Sequence, residues 1–271
     1  MSTPSAAAGR WDPRVYLAFA AFRARPVEDL LQRISLDFRG DIPGAIYDLG
    51  CGAGNITQML AARWPDRDII GLDSSPEMLA EAQKRSPVSR WPSLRWELGD
   101  IGAWSPASKA AMIFANAALH WVPDHAALFP RLARALVKDG VLAVQMPNTA
   151  DAPYRTCLST VLARAPWNQR LAAAAPHSDP LRARAYYDVL APHAAAADIW
   201  ETHYVHVLES LDAVVAWVSG AALVPYLSLL DDAEKQLFLA DYRDAARDIY
   251  HPQKDGRILF TMRRLFVLAR I

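Results

Sequence analysis

The sequence predicts a doubly wound α/β fold: a mostly parallel sheet with helices on both faces and helical insertions near its end. Short apolar runs alternate with amphipathic helical stretches from Ala45 to Met146, a glycine loop follows the first of those runs, and the regularity breaks after Pro147. At 271 residues a single elaborated domain is expected, because one core can grow continuously to roughly 250–300 residues. The expected layout is a flexible start over 1–10 and one domain over 11–271, with N-terminal helices at 12–35 and insertions at 148–194 and 211–251 forming a cap.

Trp11-Asp12-Pro13 is a helix start, with Asp12 able to cap free amides and Pro13 at the first helical position. That helix is expected to run to Arg25 and to kink or break there, because Pro26 disfavours the helical conformation before it; a second stretch then reaches Ile34, and Arg39 to Gly44 is a loop. Next come strand Ala45–Leu49, helix Asn55–Trp64, strand Asp68–Leu72, helix Pro76–Arg85 and strand Leu94–Leu98. Strand Ala110–Ala115, helix His125–Val137, the Asp139-Gly140 turn and strand Val141–Met146 complete the regular part. Residues 148 to 194 read as helices and loops. A strand at Ala197–Leu208, helices at Leu211–Val218 and Asp232–Tyr250, and a last strand at Ile258–Ala269 close the chain.

Lys and Arg number 29 and Asp and Glu number 29, so no net positive field exists to hold nucleic acid or an anionic membrane. Cys51 and Cys157 are too few and too far apart for a zinc site, and no metal site is expected. No signal-like start and no run of eighteen apolar residues is present, so the expectation is a cytoplasmic enzyme acting on a small molecule, with monomer and homodimer both open.

Gly50-Cys51-Gly52-Ala53-Gly54-Asn55 follows the first strand and opens a helix, the setting in which a glycine loop lets backbone approach a ligand. A dinucleotide loop would place its third glycine one residue later, and Asp48 at the strand end would repel a pyrophosphate. A cationic ligand without phosphate suits it, and S-adenosylmethionine, with its sulfonium and ammonium, is one. Asp73, with Ser74 beside it, ends the second strand, where an acid can accept both ribose hydroxyls. Asp100-Ile101 follows the third strand, where a carboxylate can take the adenine amino group and an aliphatic chain can cover the ring. Asn116 to Trp121 follows the fourth, beneath the methionine moiety.

With these residues the chain resembles the class I S-adenosylmethionine-dependent methyltransferases. Longer matches are similar to the trans-aconitate 2-methyltransferases: Trp11-Asp12-Pro13 through Tyr16, Phe19 and Arg23-Ala24-Arg25-Pro26; Gly71 to Pro76; Phe114 to Trp121; Val141 to Pro147; Ala185-Tyr186-Tyr187-Asp188; and Arg264-Leu265-Phe266. The resemblance implies a seven-stranded Rossmann-like sheet with its last strand antiparallel, S-adenosylmethionine as donor and S-adenosylhomocysteine as product. It also implies donor contacts from Asp48, Gly50, Cys51, Gly52, Asn55, Asp73, Ser74, Asp100, Ile101 and Asn116.

The acceptor side is less determined. A carboxylate acceptor needs no general base, since it is ionised at neutral pH, but it does need cationic clamps, for which Arg is the best residue. Tyr16 and Arg23 fall on one face of the first helix, and Arg264 shares a strand face with Phe260, Met262 and Phe266. Each Arg is equally compatible with an ion pair, and Tyr187, Trp217 and Tyr226 with plain packing. His120, beside Trp121, orients an acceptor, acts as a base on a hydroxyl or amine, or simply packs. The chain departs from the trans-aconitate enzymes at Phe22, where they carry an acid, at Val224, where they carry Arg, and at His177-Ser178-Asp179-Pro180, which lacks a basic residue. Fewer cationic groups imply a less charged or larger acceptor. Three readings result: a carboxylate methyltransferase of the trans-aconitate kind, a methyltransferase for a natural-product hydroxyl or carboxyl, and a silent S-adenosylmethionine-binding regulator.

Overall fold

The structure, a computed structural model, describes residues 20–38, 41–174 and 180–271. The expected helix start at Asp12, Tyr16 and the segment around His177 lie outside them, as does the side chain of Arg23. The chain divides into two compact units. Among the described residues, the larger comprises those within Arg25–Asn148, Ser178–Thr202 and Arg264–Ile271, and the smaller those within Thr149–His177 and His203–Arg263 together with 20–24.

Seven strands form one sheet: β1 (Ile46–Leu49), β2 (Ile69–Asp73), β3 (Leu94–Leu98), β4 (Ala110–Asn116), β5 (Leu136–Pro147), β6 (Ala196–Leu208) and β7 (Ile258–Arg270), in the order β3-β2-β1-β4-β5-β7-β6. The pairs β2/β3, β1/β2, β1/β4 and β4/β5 are parallel, and β7 runs antiparallel to β5, with Gln145 opposite Phe266 and Pro147 opposite Arg264. The chain builds outward from β1 to β3 and then returns to β4. The direction of winding therefore reverses between β1 and β4, the place where open α/β sheets bind ligands beyond the carboxyl ends of their strands.

Local chemistry explains the elements of the larger unit. β1 is buried at all four positions, as a central parallel strand must be. α2 (Asn55–Arg63) follows the glycine loop; α3 (Pro76–Arg85) starts at Ser75, whose hydroxyl accepts from Met78 N at 3.2 Å, with Pro76 in the first turn. α4 (His125–Arg134) is capped by Asp124, which accepts from Ala127 N at 3.1 Å. α7 (Ala183–Leu190) belongs to the core of this unit, with Tyr186 against Phe129 at 4.6 Å between ring centroids.

Two expectations are corrected. α1 (Ala20–Asp37) runs unbroken through Pro26. A proline inside a helix costs about 3 kcal/mol, but burial of Val27, Leu30, Leu31 and Ile34 on one face contributes roughly 1.5–3 kcal/mol each, so burial wins. The helix expected to reach Val137 ends at Arg134, because the following residues join the sheet: Ala110 N donates to Ala135 O at 2.9 Å and Leu136 pairs with Ala110. Asp139, with φ of 64°, then makes a bulge inside β5, held by its own N–H on Ile271 O at 2.7 Å.

The smaller unit packs α5 (Pro153–Leu162), α6 (Trp167–Arg170), α8 (Leu211–Ser219), α9 (Val224–Leu227) and α10 (Asp232–Arg247) around Tyr154, Trp217, Phe238, Tyr242 and Phe260. α10 begins with a full capping box: Asp231 accepts from Glu234 N at 2.8 Å, and Glu234 accepts from Asp231 N at 3.0 Å. Asp231→Ala is expected to remove about 1 kcal/mol of stability, read in a thermal or urea melt; an unchanged midpoint would show that the cap contributes nothing to the folded state.

Candidate functional site

The glycine loop is fastened to the second strand. Gly50 N and Cys51 N both donate to Leu72 O, at 2.8 and 3.0 Å. Gly50 has φ of 75°, and a Cβ there would sit 2.3 Å from Ala118 Cβ; Gly54 has φ of 79°, and a Cβ would meet the Trp96 ring at 2.5 Å. Both positions therefore demand glycine for conformation and for space. The packing also brings the loop after β4 and the Ile101 side chain against the glycine turn, since Ile101 Cδ1 lies 3.6 Å from the same Gly50 Cβ position.

Two acids flank the loop. Asp73 is half-buried and oriented by backbone: its Oδ2 accepts from Gly52 N at 2.8 Å and its Oδ1 from Ser75 N at 2.9 Å. Each oxygen keeps a second lone pair for a ligand hydroxyl. Asp48 is buried, and its Oδ2 accepts from Thr57 Oγ1 at 2.7 Å. Burial pushes its carboxyl up to about 7, the Thr57 hydrogen bond opposes that, and the charge of Asp73 adds to it. Cys51 is likewise pushed up, first by burial and then by both acids, so it stays a neutral thiol.

The other candidate donor contacts lie at or just after strand ends, apart from Asn55 at the start of α2. Asp100 follows β3, exposed, with Oδ1 accepting from Gly102 N at 2.8 Å; Ile101 beside it is half-buried. Asn116 ends β4, opposite Gln145, and its Oδ1 is buried without a hydrogen-bond partner among the described residues. Ala117, with φ of 50°, turns the chain there, its N–H on Gln145 O at 2.8 Å. Ser74 and Asn55 are exposed, and the Asn55 carbonyl accepts from Arg85 Nη1 at 3.0 Å, which draws it toward the end of α3.

These acids and this loop fit S-adenosylmethionine. A buried carboxyl forced toward neutrality by its surroundings gains most from a cationic ligand, and an open glycine turn beside an acid that already points both oxygens at the rim accommodates a ribose. Among the described residues no group of His, Cys, Asp and Glu could hold a metal ion.

On the acceptor side, His120 and Trp121 lie in the short 3₁₀ turn Leu119–Trp121, ring centroids 5.0 Å apart, with Trp121 61% exposed. Tyr187 is exposed on α7, and Arg264 is half-buried on β7. Trp217 and Tyr226 belong to the smaller unit. Trp217 is buried in its core, stacked on His206 at 4.9 Å and against Phe260 at 5.4 Å. Val224 opens α9, half-buried.

Sequence reasoning missed Thr57, the hydroxyl that meets Asp48, and Trp96, the floor under Gly54 and Gly71. Thr57 sits two residues into α2 and leaves a readable signal, a hydroxyl on the buried face of a helix next to a buried acid. Trp96 leaves none, since β3 does not declare which glycine it faces.

Comparison with known proteins agrees with this geometry. A family model described as a methyltransferase domain matches residues 46–140. The trans-aconitate 2-methyltransferases of Azoarcus sp. (strain BH72) and Methylobacterium nodulans are each 43% identical to the chain, covering 96% of it and 98% of their own length. Among solved structures, the YcgJ protein from Bacillus subtilis shares the fold with a TM-score of 0.60 at 16% identity, over 90% of this chain and 97% of that one.

The raised Asp48 carboxyl makes ligand-free stability pH-dependent. Its folded value lies above the unfolded one of roughly 4, so its contribution is fully present below about pH 4 and is lost as pH rises through about 7. Asp48→Asn is expected to raise the melting temperature of the ligand-free protein at pH 8 relative to wild type, with the advantage gone at pH 4. A pH-independent difference between the two would show that the Asp48 carboxyl titrates alike in the folded and unfolded chain, contradicting the raised value.

Proposed function

Because the chain belongs to the trans-aconitate 2-methyltransferase family, we propose that it esterifies a carboxylate of trans-aconitate, with S-adenosylmethionine as donor and S-adenosylhomocysteine as product. The observation that carries the donor half is Asp48, a buried acid at the root of the glycine loop that no described cation pairs with. When bound, the donor supplies a methyl group already activated by a sulfonium.

The protein's own task is then alignment and exclusion of water. In this reading Asp48 faces the cationic methionine end, Asp73 accepts the ribose hydroxyls, Asp100 takes the adenine amino group and Ile101 covers the ring. Asn116 lies beneath the methionine moiety, and Gly50, Cys51, Gly52, Asn55 and Ser74 line the rest. By the resemblance Arg264, Arg23 and Tyr16 are each candidates for an acceptor carboxylate, Trp121 and Tyr187 for the entrance, and His120 for orienting the carboxyl to be methylated. No residue has to remove a proton, because the nucleophile is an ionised carboxylate.

Val224 favours a second reading. Without the arginine of related enzymes the pocket binds one carboxylate less firmly, which suits a less charged acid or a natural-product hydroxyl. A hydroxyl must lose a proton to a base, and in this second reading His120 is that base.

Donor consumption is to be assayed against trans-aconitate and a panel of di- and tricarboxylic acids. Trans-aconitate is expected to yield a methyl ester at a rate nearly flat from about pH 6.5 to 8.5 at saturating donor. Arg264→Met is expected to raise its KM about tenfold while leaving affinity for S-adenosylhomocysteine unchanged. Turnover of a hydroxyl substrate, rising steeply through pH 6–8 and abolished by His120→Asn, would replace this reading with its rival.

A further inference from the structure

We propose that helix α4 is the strut that fixes the two loops around the donor: Arg131 sets the adenine loop, and His125, locked by Tyr186, sets the loop under the methionine end. The inference rests on the donor assignments above and adds two positioning residues that touch no ligand.

Arg131 is the clearer of the two. Its Nη2 donates to Ile101 O at 2.8 Å and to Gly102 O at 3.0 Å, and its Nη1 donates to Trp104 O. One rigid guanidinium fork thus gathers three carbonyls of the turn Ile101–Trp104, which is closed internally by Ala103 N on Asp100 O at 3.1 Å. Among the described residues the charge is directed at backbone oxygens and at no acid, so it specifies the shape of a turn. That turn carries the carboxylate and the aliphatic chain assigned to the adenine.

Six residues earlier on the same helix, about 9 Å along its axis, His125 does the equivalent for the next loop. It is 5% exposed, and its Nε2 lies 2.8 Å from Leu119 O. A carbonyl only accepts, so Nε2 carries the proton and Nδ1 is the bare nitrogen. The Tyr186 hydroxyl must therefore donate to Nδ1, while it accepts from Leu181 N at 3.1 Å. The imidazole is held as one neutral tautomer with one orientation. Leu119 lies between Ala118, whose Cβ blocks Gly50, and His120. Moving its carbonyl moves both.

The two contacts act on opposite ends of one ligand, and binding alone separates them. Calorimetry with wild type, Arg131→Met and Tyr186→Phe would compare three ligands: S-adenosylhomocysteine, S-inosylhomocysteine, which replaces the adenine amino group, and methylthioadenosine, which lacks the amino-acid end. Arg131→Met is expected to reduce the preference for adenine over hypoxanthine about tenfold and to leave the preference for S-adenosylhomocysteine over methylthioadenosine within twofold. Tyr186→Phe is expected to do the reverse. Arg131→Lys and His125→Asn serve if either variant fails to fold. Parallel loss of both preferences, or a lowered melting temperature with both preferences intact, would overturn the strut and leave α4 a merely structural helix. Asp100→Asn is the control: if it leaves the adenine preference untouched, the fault lies in the assignment of Asp100 to adenine, and Arg131 is then excluded from reading the base as well.

Discussion

The site is organised by a carboxyl group in the wrong place for an isolated protein. Asp48 stands in a central strand buried at all four positions, met by the Thr57 hydroxyl and influenced by the charge of a second acid, Asp73. Burying such a group costs several kcal/mol unless it is paired or neutralised, and burial accordingly raises its carboxyl to about 7, so that protonation offsets part of the cost. A ligand with positive charge relieves that cost, whereas a pyrophosphate would deepen it. In the proposed reading the same residue favours a cationic donor over a dinucleotide.

Around that acid the geometry follows from the strand order. Because the chain winds outward from β1 to β3 and then returns to β4, the winding reverses between β1 and β4 and the carboxyl ends of these four parallel strands lie along one edge of the sheet. Small side chains let the loops touch there: Gly50 admits Ala118, and Gly54 and Gly71 admit Trp96. Asp73, aimed by two backbone amides, shows how little side-chain freedom is left to lose when a ligand arrives.

Most of this was legible in the sequence, because the signals were local. The helix Pro76–Arg85 and strand Leu94–Leu98 stand where periodicity and capping put them, and the glycine loop with Asp73 and Asp100 could be ordered on strand ends without a structure. What was not legible depends on distant residues. Pro26 reads as a break because the burial of Val27, Leu30, Leu31 and Ile34 is a tertiary fact. The helix ending at Arg134 looked longer because the bulge at Asp139 is set by pairing with the chain's last residue. The sequence left Trp217 open between packing and pocket, and its contacts with His206 and Phe260 come from residues distant in the chain. Arg131 left no signal, since its three carbonyl partners are 27 to 30 residues away.

If Asp48 is the feature on which donor binding depends, binding must change its protonation. The direct measurement is calorimetric titration of S-adenosylmethionine at pH 6 in buffers of different ionisation enthalpy, with wild type and Asp48→Asn. A carboxyl that titrates near 7 in the free protein and ionises against a cation should release close to one proton per ligand bound, and the variant should release none. No proton release by wild type at pH 6, or a release that survives Asp48→Asn, would contradict the account.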